Sequence, residues 1–359
     1  MSSDLSSSSP LSPFRPTYRQ LSSATLDAQE NLCSLRDWVR YATSRMQAAG
    51  LSFGHGTDNA YDEAVWLVCW CLYLPPEHYD VMADALLLPE ERRRIRHLLD
   101  ARCERGRPLA YLIGEAWLMG YRFRCDDRAL VPRSLLAEAL ANRTFDPWLD
   151  ADNWQPEAIH PDLQEMLLQL GENPLPATTG HRARQRILDL CTGGGSIAII
   201  AAHCFPEADI VASDLSLDAL ALAAENIDDY DLGDRITLHQ GDLFASLADE
   251  RFNLILCNPP YVNAESMAQL PEEYRAEPEE ALGSGDDGMD LIARLLAEAP
   301  EHLSTNGILV IEIGHEMQHF QARFPTLNWT AIPVTAGDDR IVLITAADLS
   351  QWRDAALQV

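Results

Sequence analysis

The chain has 359 residues, of which 47% are hydrophobic and 23% are charged, and its formal net charge at pH 7 is −28. A chain of this length is expected to form two domains of ordinary size. The acidic balance disfavours nucleic acid as a partner, because a nucleic-acid binder needs a basic face to displace counterions, and it favours a basic protein partner. No apolar run approaches the roughly 20 residues that a membrane helix needs, so we expect no membrane insertion.

The first segment and the cysteines both indicate a cytoplasmic protein. Residues 1–29 begin with a stretch rich in Ser and Pro that has no apolar segment typical of a secretory signal, and we predict a disordered tail there. The eight cysteines are scattered along the chain and none forms a C-x-x-C pair. We therefore predict buried free thiols in a reducing compartment and no metal site.

Residues 30–108 are predicted to form a helical domain, because apolar residues recur there every three or four positions. Asp58 or Thr57 is the predicted cap of the second helix, and Pro89 is suited to the first position of a later one. The basic run Glu91–Arg96 is interpreted as the solvated face of that helix. A nucleic-acid patch is the less favoured alternative for this run.

Residues 109–184 are predicted to connect two domains. Apolar and aromatic residues flank Met119-Gly120-Tyr121, which indicates a β-hairpin. Between Thr144 and Arg184 the composition changes to Pro, Asp, Asn, Gln and Gly. We interpret this stretch as the main linker, with one short apolar helix at about 163–170.

Residues 185–348 show strands and helices in alternation, which predicts an α/β domain with a parallel sheet and helices on both faces. Residues 349–359 are predicted to be a C-terminal tail. The strand Arg186–Leu190 leads into a glycine turn and then a helix, and the strand Asp209–Asp214 ends in an acid. Such an acid typically binds the ribose of a nucleotide.

The glycine turn by itself is weak evidence for any particular cofactor. Its spacing is not G-x-G-x-x-G, and the segment has no G-x-x-x-x-G-K-[ST], so dinucleotide and nucleoside-triphosphate binding are disfavoured. A third predicted strand ends at the turn Gly241-Asp242-Leu243-Phe244. A fourth, Phe252–Cys257, ends at Asn258-Pro259-Pro260-Tyr261.

The Asn258-Pro259-Pro260-Tyr261 turn is suited to hold a planar amino group. The prolines end the strand at the edge where open α/β sheets bind ligands. The Asn258 amide offers an acceptor oxygen, the Pro259 carbonyl offers a second acceptor, and Tyr261 can stack on or enclose the bound group. A plain strand-ending turn is the alternative for this motif taken alone.

In the order of its elements, this region resembles the class I S-adenosylmethionine-dependent methyltransferases, whose seven-stranded sheet is Rossmann-like. The Asn-Pro-Pro-Tyr turn resembles those that methylate an amide or exocyclic amino nitrogen. The likeness is closest to the protein-(glutamine-N5) methyltransferases, in the branch that modifies large-subunit ribosomal protein three, and it covers roughly residues 30–345. The further segments that carry it are Gly54–Asn59, Arg107–Leu112, Ala129–Ser134, Leu270–Pro278 and Asp286–Gly288.

The resemblance implies S-adenosyl-L-methionine as cofactor and assigns its site. The turn against the methionine part of the cofactor consists of Cys191, Thr192, Gly193, Gly194 and Gly195. Asp189 orients that turn or binds the cofactor ammonium, and Asp214 binds the ribose hydroxyls. Asp242 and Leu243 flank the adenine, with Asp242 as a candidate partner for its amino group.

The resemblance also implies that Asn258, Pro259, Pro260 and Tyr261 are the catalytic residues, with Asn258 lying next to the cofactor as well. The expected reaction is methyl transfer to a glutamine side-chain nitrogen. The expected substrate is a basic ribosomal protein, free rather than assembled, recognised by the helical domain.

Three alternatives remain for the function. The chain is also similar to the sister enzymes that methylate peptide-release factors, although the Gly54–Asn59 segment disfavours them. Adenine-directed DNA or RNA methyltransferases share the Asn-Pro-Pro-Tyr turn, but the acidic charge argues against them. A non-catalytic assembly factor that only binds the cofactor is disfavoured because Asn258 and Tyr261 are both present.

Overall fold

The computed structural model describes residues 31–149 and 185–356. The predicted tail at 1–29 and the predicted linker helix at 163–170 lie outside these ranges. The described residues form a helical N-terminal domain, a β-hairpin and an α/β domain.

The helices and strands follow in this order. The N-terminal part contains α1 (Leu35–Ala49), α2 (Ala60–Cys71), α3 (Tyr79–Met82), α4 (Pro89–Arg105), α5 (Leu109–Ile113), β1 (Glu115–Leu118), β2 (Tyr121–Arg124) and α6 (Leu136–Ala141). The α/β part contains β3 (Arg186–Leu190), α7 (Ser196–Cys204), β4 (Asp209–Asp214), α8 (Leu217–Asp229), β5 (Ile236–Gln240), β6 (Phe252–Cys257), α9 (Ala264–Gln269), α10 (Asp290–Glu298), β7 (Leu303–Glu312), α11 (Met317–Arg323), β8 (Thr330–Val334), β9 (Gly337–Thr345) and α12 (Ala346–Ala356).

The first two helices begin at polar caps. Ser34 Oγ accepts a hydrogen bond from Asp37 N, and the Asp37 carboxylate accepts one from Ser34 N in return. The cap of α2 is Asn59, whose Oδ1 accepts from the backbone N–H groups of residues 61 and 62 at 3.0 Å each. The prediction of Asp58 or Thr57 was therefore wrong by one or two positions, because an Asn caps as well as an Asp does.

The N-terminal helices pack around their own apolar core. Trp38, Leu67 and Leu99, from α1, α2 and α4, are each fully buried in it. Pro89 starts α4 as predicted. On the outer side of α4, Arg93 and Arg94 are exposed, which agrees with the solvated face predicted for this run.

The predicted hairpin connects the two cores. β1 and β2 pair antiparallel around Met119 and Gly120, which both have positive φ angles as two-residue hairpin turns require. Phe123, on β2, is buried in the core of the α/β domain, whereas Cys125 just after it is buried in the N-terminal core. The hairpin therefore fixes the two domains against each other.

The seven-stranded sheet has the order β5-β4-β3-β6-β7-β9-β8. The first five strands in this order are parallel, and β9 pairs antiparallel with both β7 and β8. Apolar clusters cover both faces. The strand order and the antiparallel pairing of β8 and β9 confirm the predicted Rossmann-like fold with its closing hairpin. Because β3, β4 and β6 are parallel, their carboxyl ends lie at one edge, and the strand order reverses between β3 and β6 there.

Two segments belong to the α/β core although the sequence suggested otherwise. Phe145 and Leu149, within the predicted linker, are 1% and 2% exposed and pack in the same apolar cluster as α6 and α7. The predicted C-terminal tail is largely helical, because α12 extends to residue 356 and Leu349 is fully buried. One buried leucine among alanines and polar residues is a weak signal in sequence.

Candidate active site

The glycine turn after β3 is tightly wound. Cys191, Gly193 and Gly195 have φ angles of 57°, 55° and 80°, in the left-handed region. Gly195 N donates to the Thr192 carbonyl at 2.9 Å, and Thr192 N donates to the Ser213 carbonyl of β4 at 3.1 Å. The turn therefore closes on itself and is fixed to the neighbouring strand.

Asp189, in β3, holds this turn through hydrogen bonds. It is 1% exposed, and its Oδ2 accepts hydrogen bonds from Thr192 Oγ1 at 2.6 Å and from Ala198 N at 3.0 Å. Burial raises the pKa of Asp189 to about 7, although both hydrogen bonds favour the charged form. These bonds join the turn to the first helical residues after it, a geometry that suits the orienting role predicted for Asp189.

Asp214 ends β4 as predicted and contacts the same turn. Its Oδ2 accepts from Gly193 N at 2.8 Å, and its Oδ1 accepts from Ser216 N at 2.9 Å. Burial raises the pKa of Asp214, and the charge of Glu280 adds to that shift. A carboxylate oxygen accepts more than one hydrogen bond, so both oxygens retain capacity for a diol.

The turn that follows β5 places Asp242 and Leu243 beside Asp214. Leu243 is 5% exposed and has a φ of 49°, and Gly241 N donates to the Asp214 carbonyl at 3.0 Å. Asp242 is half-exposed and its Oδ2 accepts from Arg294 Nη2 at 2.9 Å. Asp242 thus already has a partner on α10, and a contact with adenine remains a prediction.

Asn258 is the most informative side chain of the site. It follows β6 directly, and its Oδ1 is buried without a hydrogen-bond partner among the residues that the structure describes. Buried polar atoms in proteins nearly always have a partner. Asn258 lines a cavity together with Pro259 and Pro260, so its buried oxygen is a candidate acceptor for a hydrogen bond from a ligand.

Tyr261 is fixed by a buried carboxylate. Its hydroxyl donates to Glu312 Oε1 at 3.1 Å, and Glu312 Oε2 accepts from Ser134 Oγ at 2.6 Å and from Leu135 N at 2.9 Å. Burial raises the pKa of Glu312. A Cβ at Gly314 would lie 2.5 Å from the Tyr261 ring, so only glycine fits there. The ring is therefore held at its hydroxyl, with Gly314 close beside it.

These residues surround one cavity of about 790 Å³. The predicted site residues that line it are Asp189, Cys191, Thr192, Gly193, Gly194, Asp214, Asp242, Leu243, Asn258, Pro259, Pro260 and Tyr261. Gly195 differs from them. It is not among the lining residues, and a Cβ there would lie 3.1 Å from Ala223 Cβ on α8, so it serves helix packing.

Sequence reasoning missed two residues that support the site. Asn226 on α8 donates from Nδ2 to the Gly194 carbonyl at 2.8 Å and accepts from Arg124 N at 2.7 Å, which joins the glycine turn to the hairpin. Glu312 is the other. Glu312 could have been identified from the sequence, because it is an acid within the apolar run 308–313. Asn226, an Asn on a helix face, gives no such signal.

Other kinds of site were also sought in the part of the chain that the structure covers. Within residues 31–149 and 185–356, no group of three or more His, Cys, Asp or Glu side chains is arranged to hold a metal ion. No helix in the same ranges has the length and apolar character to cross a membrane.

Two protein-family models each match a part of the chain. Residues 37–114 match the PrmC N-terminal domain, and residues 173–286 match the methyltransferase small domain. The first match covers most of the helical domain and reaches the start of the hairpin. The second contains the glycine turn, Asp214 and the Asn258 turn.

Curated relatives match nearly the whole chain. The ribosomal protein uL3 glutamine methyltransferase of Bordetella pertussis is 46% identical over 322 residues, which is 90% of this chain and 98% of that protein. Proteins of the same name from Burkholderia pseudomallei and Neisseria gonorrhoeae are 43% and 41% identical, over 88% and 90% of this chain and 95% and 97% of their own lengths. At this identity and coverage, the chain belongs to the family of the ribosomal protein uL3 glutamine methyltransferases.

Proposed function

We propose that this protein transfers a methyl group from S-adenosylmethionine to the side-chain amide nitrogen of a glutamine in ribosomal protein uL3. The proposal rests on one observation: Asn258 lines the cavity, and its buried Oδ1 has no hydrogen-bond partner within residues 31–149 and 185–356. A glutamine amide provides the N–H donor that this oxygen lacks.

The residues around the cavity fit S-adenosylmethionine. The cofactor carries a ribose diol, an ammonium group and an adenine, and Asp189, Asp214 and the apolar Leu243 all line the same cavity. Asp214 would hold the diol, the turn from Cys191 to Gly194 would contact the methionine part, and Leu243 would lie against the adenine. When bound, the cofactor supplies an electrophilic methyl group on a sulfonium.

The chemical difficulty lies in the nucleophile. An amide nitrogen is a poor nucleophile because its lone pair is delocalised into the carbonyl group. Asn258 Oδ1 and the Pro259 carbonyl would accept its two N–H groups and fix the nitrogen on the line of attack. The same acceptors stabilise the positive charge that grows on nitrogen, so positioning and preorganised dipoles lower the barrier without a strong base.

Tyr261 would form the wall beside the bound amide. Its hydroxyl is held by the hydrogen bond to Glu312, and the space beside Gly314 is so narrow that a Cβ there would collide with the ring. A fixed ring restricts the amide plane to one orientation, which keeps both N–H groups on their acceptors. Tyr261 therefore acts on the geometry of the nucleophile.

The charge of the chain supports a basic protein substrate. A net charge of −28 attracts a basic ribosomal protein over a distance set by the Debye length, about 10 Å at 0.1 M salt. Basic residues that neutralise RNA phosphates in an assembled ribosome are available to an acidic partner only before assembly. We therefore propose free uL3 as the substrate, and a cytoplasmic location follows from that choice.

Methyl transfer from labelled cofactor tests this function. Free uL3, assembled ribosomes, a peptide-release factor and DNA would be compared across a salt series, with the modified residue identified by mass spectrometry. We expect labelling of one glutamine in free uL3, with kcat/KM falling as salt rises and kcat changing little. Stronger labelling of the release factor or of DNA, or a kcat/KM for uL3 that rises with salt, would contradict the proposal.

A further inference from the structure

The loop that follows Tyr261 is anchored by buried acids. It spans residues 264–281 and contains α9 and two 3-10 turns. The only buried residues within it are Glu273 and Glu277, each 4% exposed. A segment that buries carboxylates instead of apolar side chains is held by hydrogen bonds and ion pairs, so its position depends on particular partners.

Glu273 is bound by the N-terminal helical domain. Its Oε1 accepts hydrogen bonds from Ser52 N at 2.8 Å and from Arg102 Nη1 at 3.3 Å. Arg102 is fully buried and donates from Nε to Glu63 Oε1 at 2.6 Å and from Nη2 to the Ser52 carbonyl at 3.0 Å. Because Arg102 is itself fixed by these bonds, it offers Glu273 a rigid partner.

Glu277 is bound by the segment that leads from the hairpin to α6. Its two oxygens accept from Arg133 Nη1 and Nη2 at 2.6 Å each, and Oε1 also accepts from Val131 N at 3.1 Å. His55 Nε2 lies 3.5 Å from Oε2. Burial by itself would raise the pKa of Glu277, but the contacts with His55 and Arg133 lower it to about 2.

Tyr274 lies between these two anchors and faces the cavity. The Arg133 guanidinium is 5.3 Å from the centre of its ring, and the His55 ring is 4.4 Å away, centre to centre. His55 is only 2% exposed. It therefore packs the loop in place rather than presenting itself to a protein substrate.

We propose that Glu273 and Glu277 are positioning residues that hold the 264–281 loop as the wall of the glutamine-binding half of the cavity. Among the residues described, neither carboxylate lines the cavity, whereas Tyr274 and Pro278 do. The acids therefore act through their loop neighbours, without touching the glutamine. The inference rests on the proposed function, because it assigns Tyr274 to the glutamine side of the cavity. Arg133 lies close to both Tyr274 and Tyr261, whereas Glu280, at the end of the loop, lies near Asp214 on the cofactor side.

The variants Glu277→Gln and Glu273→Gln test this role in the full-length protein. Each keeps the side-chain shape but removes the charge that Arg133 or Arg102 binds. We expect amide hydrogen exchange to rise in residues 264–281 and kcat/KM for free uL3 to fall roughly 10- to 100-fold, the scale of a misplacement of about 1 Å. Cofactor affinity by calorimetry should change much less than kcat/KM, since the loop reaches the cofactor side only near Glu280.

Two further variants separate positioning from general stability. Glu301→Gln makes the same substitution at an exposed glutamate paired with Arg353, and it should change neither loop exchange nor kcat/KM. Arg133→Lys keeps the charge but loses the two-pronged contact, so it should behave like Glu277→Gln. Raised exchange in the strands β3 and β6 as well would mean that Glu277→Gln destabilises the whole domain. In that case, the result for Glu273→Gln would decide whether the acids position the loop.

Two results would overturn the inference. One is unchanged loop exchange in both Glu→Gln variants. The other is a loosened loop that retains wild-type kcat/KM. A wild-type protein that does not methylate free uL3 would instead count against the proposed function, while loop exchange would still decide whether the two acids fix the loop.

Discussion

The cofactor half and the substrate half of the cavity are held together in different ways. In the cofactor half, Asp189 binds groups three and nine residues further along the chain, and Asp214 binds Gly193, 21 residues before it. In the substrate half, Glu277 binds Arg133 across 144 residues, and Glu273 binds Ser52 across 221. The two acids of the cofactor half are bound within a single βαβ unit, whereas those of the substrate half are bound by distant segments of the chain.

This difference means that the two halves should respond separately to mutation. Bonds within a βαβ unit form whenever that unit folds, and they do not depend on the N-terminal domain. The loop at 264–281 has its position only when Arg102 and Arg133 are in place. Variants can therefore be divided into those that alter cofactor affinity and those that alter turnover of the protein substrate.

The largest effect is expected for Asn258→Ala. Turnover of uL3 should fall roughly 100- to 1,000-fold, the scale of losing one preorganised polar contact, while cofactor affinity changes little. Single-turnover methylation and calorimetry measure the two quantities. Asn306→Ala, at an exposed asparagine of β7, is the control. A variant with near-normal turnover would show that the Asn-Pro-Pro turn is only structural.

Low pH should weaken the anchoring of the 264–281 loop, because Glu277 becomes protonated. The pKa of this group is about 2 in the folded protein, against 4.5 for an unperturbed Glu. Its contribution to stability is thus complete above pH 4.5 and is lost as the pH falls towards 2, by roughly 3 kcal/mol in all. The difference in unfolding free energy between wild type and Glu277→Gln should shrink over that range in urea titrations. A difference that does not vary with pH would contradict this assignment.

Asp214→Ala should act on the cofactor half. The variant loses the acceptor proposed for the ribose and the bond from Gly193 N, so cofactor affinity should fall roughly 10- to 100-fold, as for hydrogen bonds to a charged group. Calorimetry measures the affinity, and circular dichroism tests that the fold is intact. Asp218→Ala, at an exposed aspartate of α8, is the control. Wild-type affinity in a folded Asp214→Ala protein would remove Asp214 from the cofactor site.

The smallest effect is expected for Tyr261→Phe. The ring remains and only the bond to Glu312 is lost, so turnover should fall by less than about tenfold, in line with about 1 kcal/mol for one hydrogen bond. Cofactor affinity should be unchanged. Tyr73→Phe, at a tyrosine that is 85% exposed, is the control. A loss as large as that of Asn258→Ala would mean that the hydroxyl takes part in the reaction.

Much of the fold could be predicted because its signals are local. The strands Arg186–Leu190, Asp209–Asp214 and Phe252–Cys257 were predicted with the ends that the structure shows, since each is an apolar run between turn residues. The family was identified for a similar reason, because the glycine turn and the Asn258 turn each lie within a few consecutive residues.

Errors and omissions occurred where the deciding contact is distant or has several equivalent candidates. The cap at Asn59 could not be told from neighbouring Thr57 and Asp58, since all three side chains can accept the same backbone hydrogen bond. The segment containing Phe145 was interpreted as linker because its composition is polar, although Phe145 is buried against α7.

The sequence by itself determined the class of fold, the family, and the residues that meet at the carboxyl edge of the sheet, because strand ends and turn residues are encoded where they occur. Only the tertiary structure decided that Asn258 Oδ1 is buried without a partner and that Gly195 packs against α8. The tertiary structure alone also revealed that Glu273 and Glu277 anchor the 264–281 loop. Charge pairs across 144 to 221 residues leave no periodicity or spacing in the chain, since they exist only after two domains have packed together.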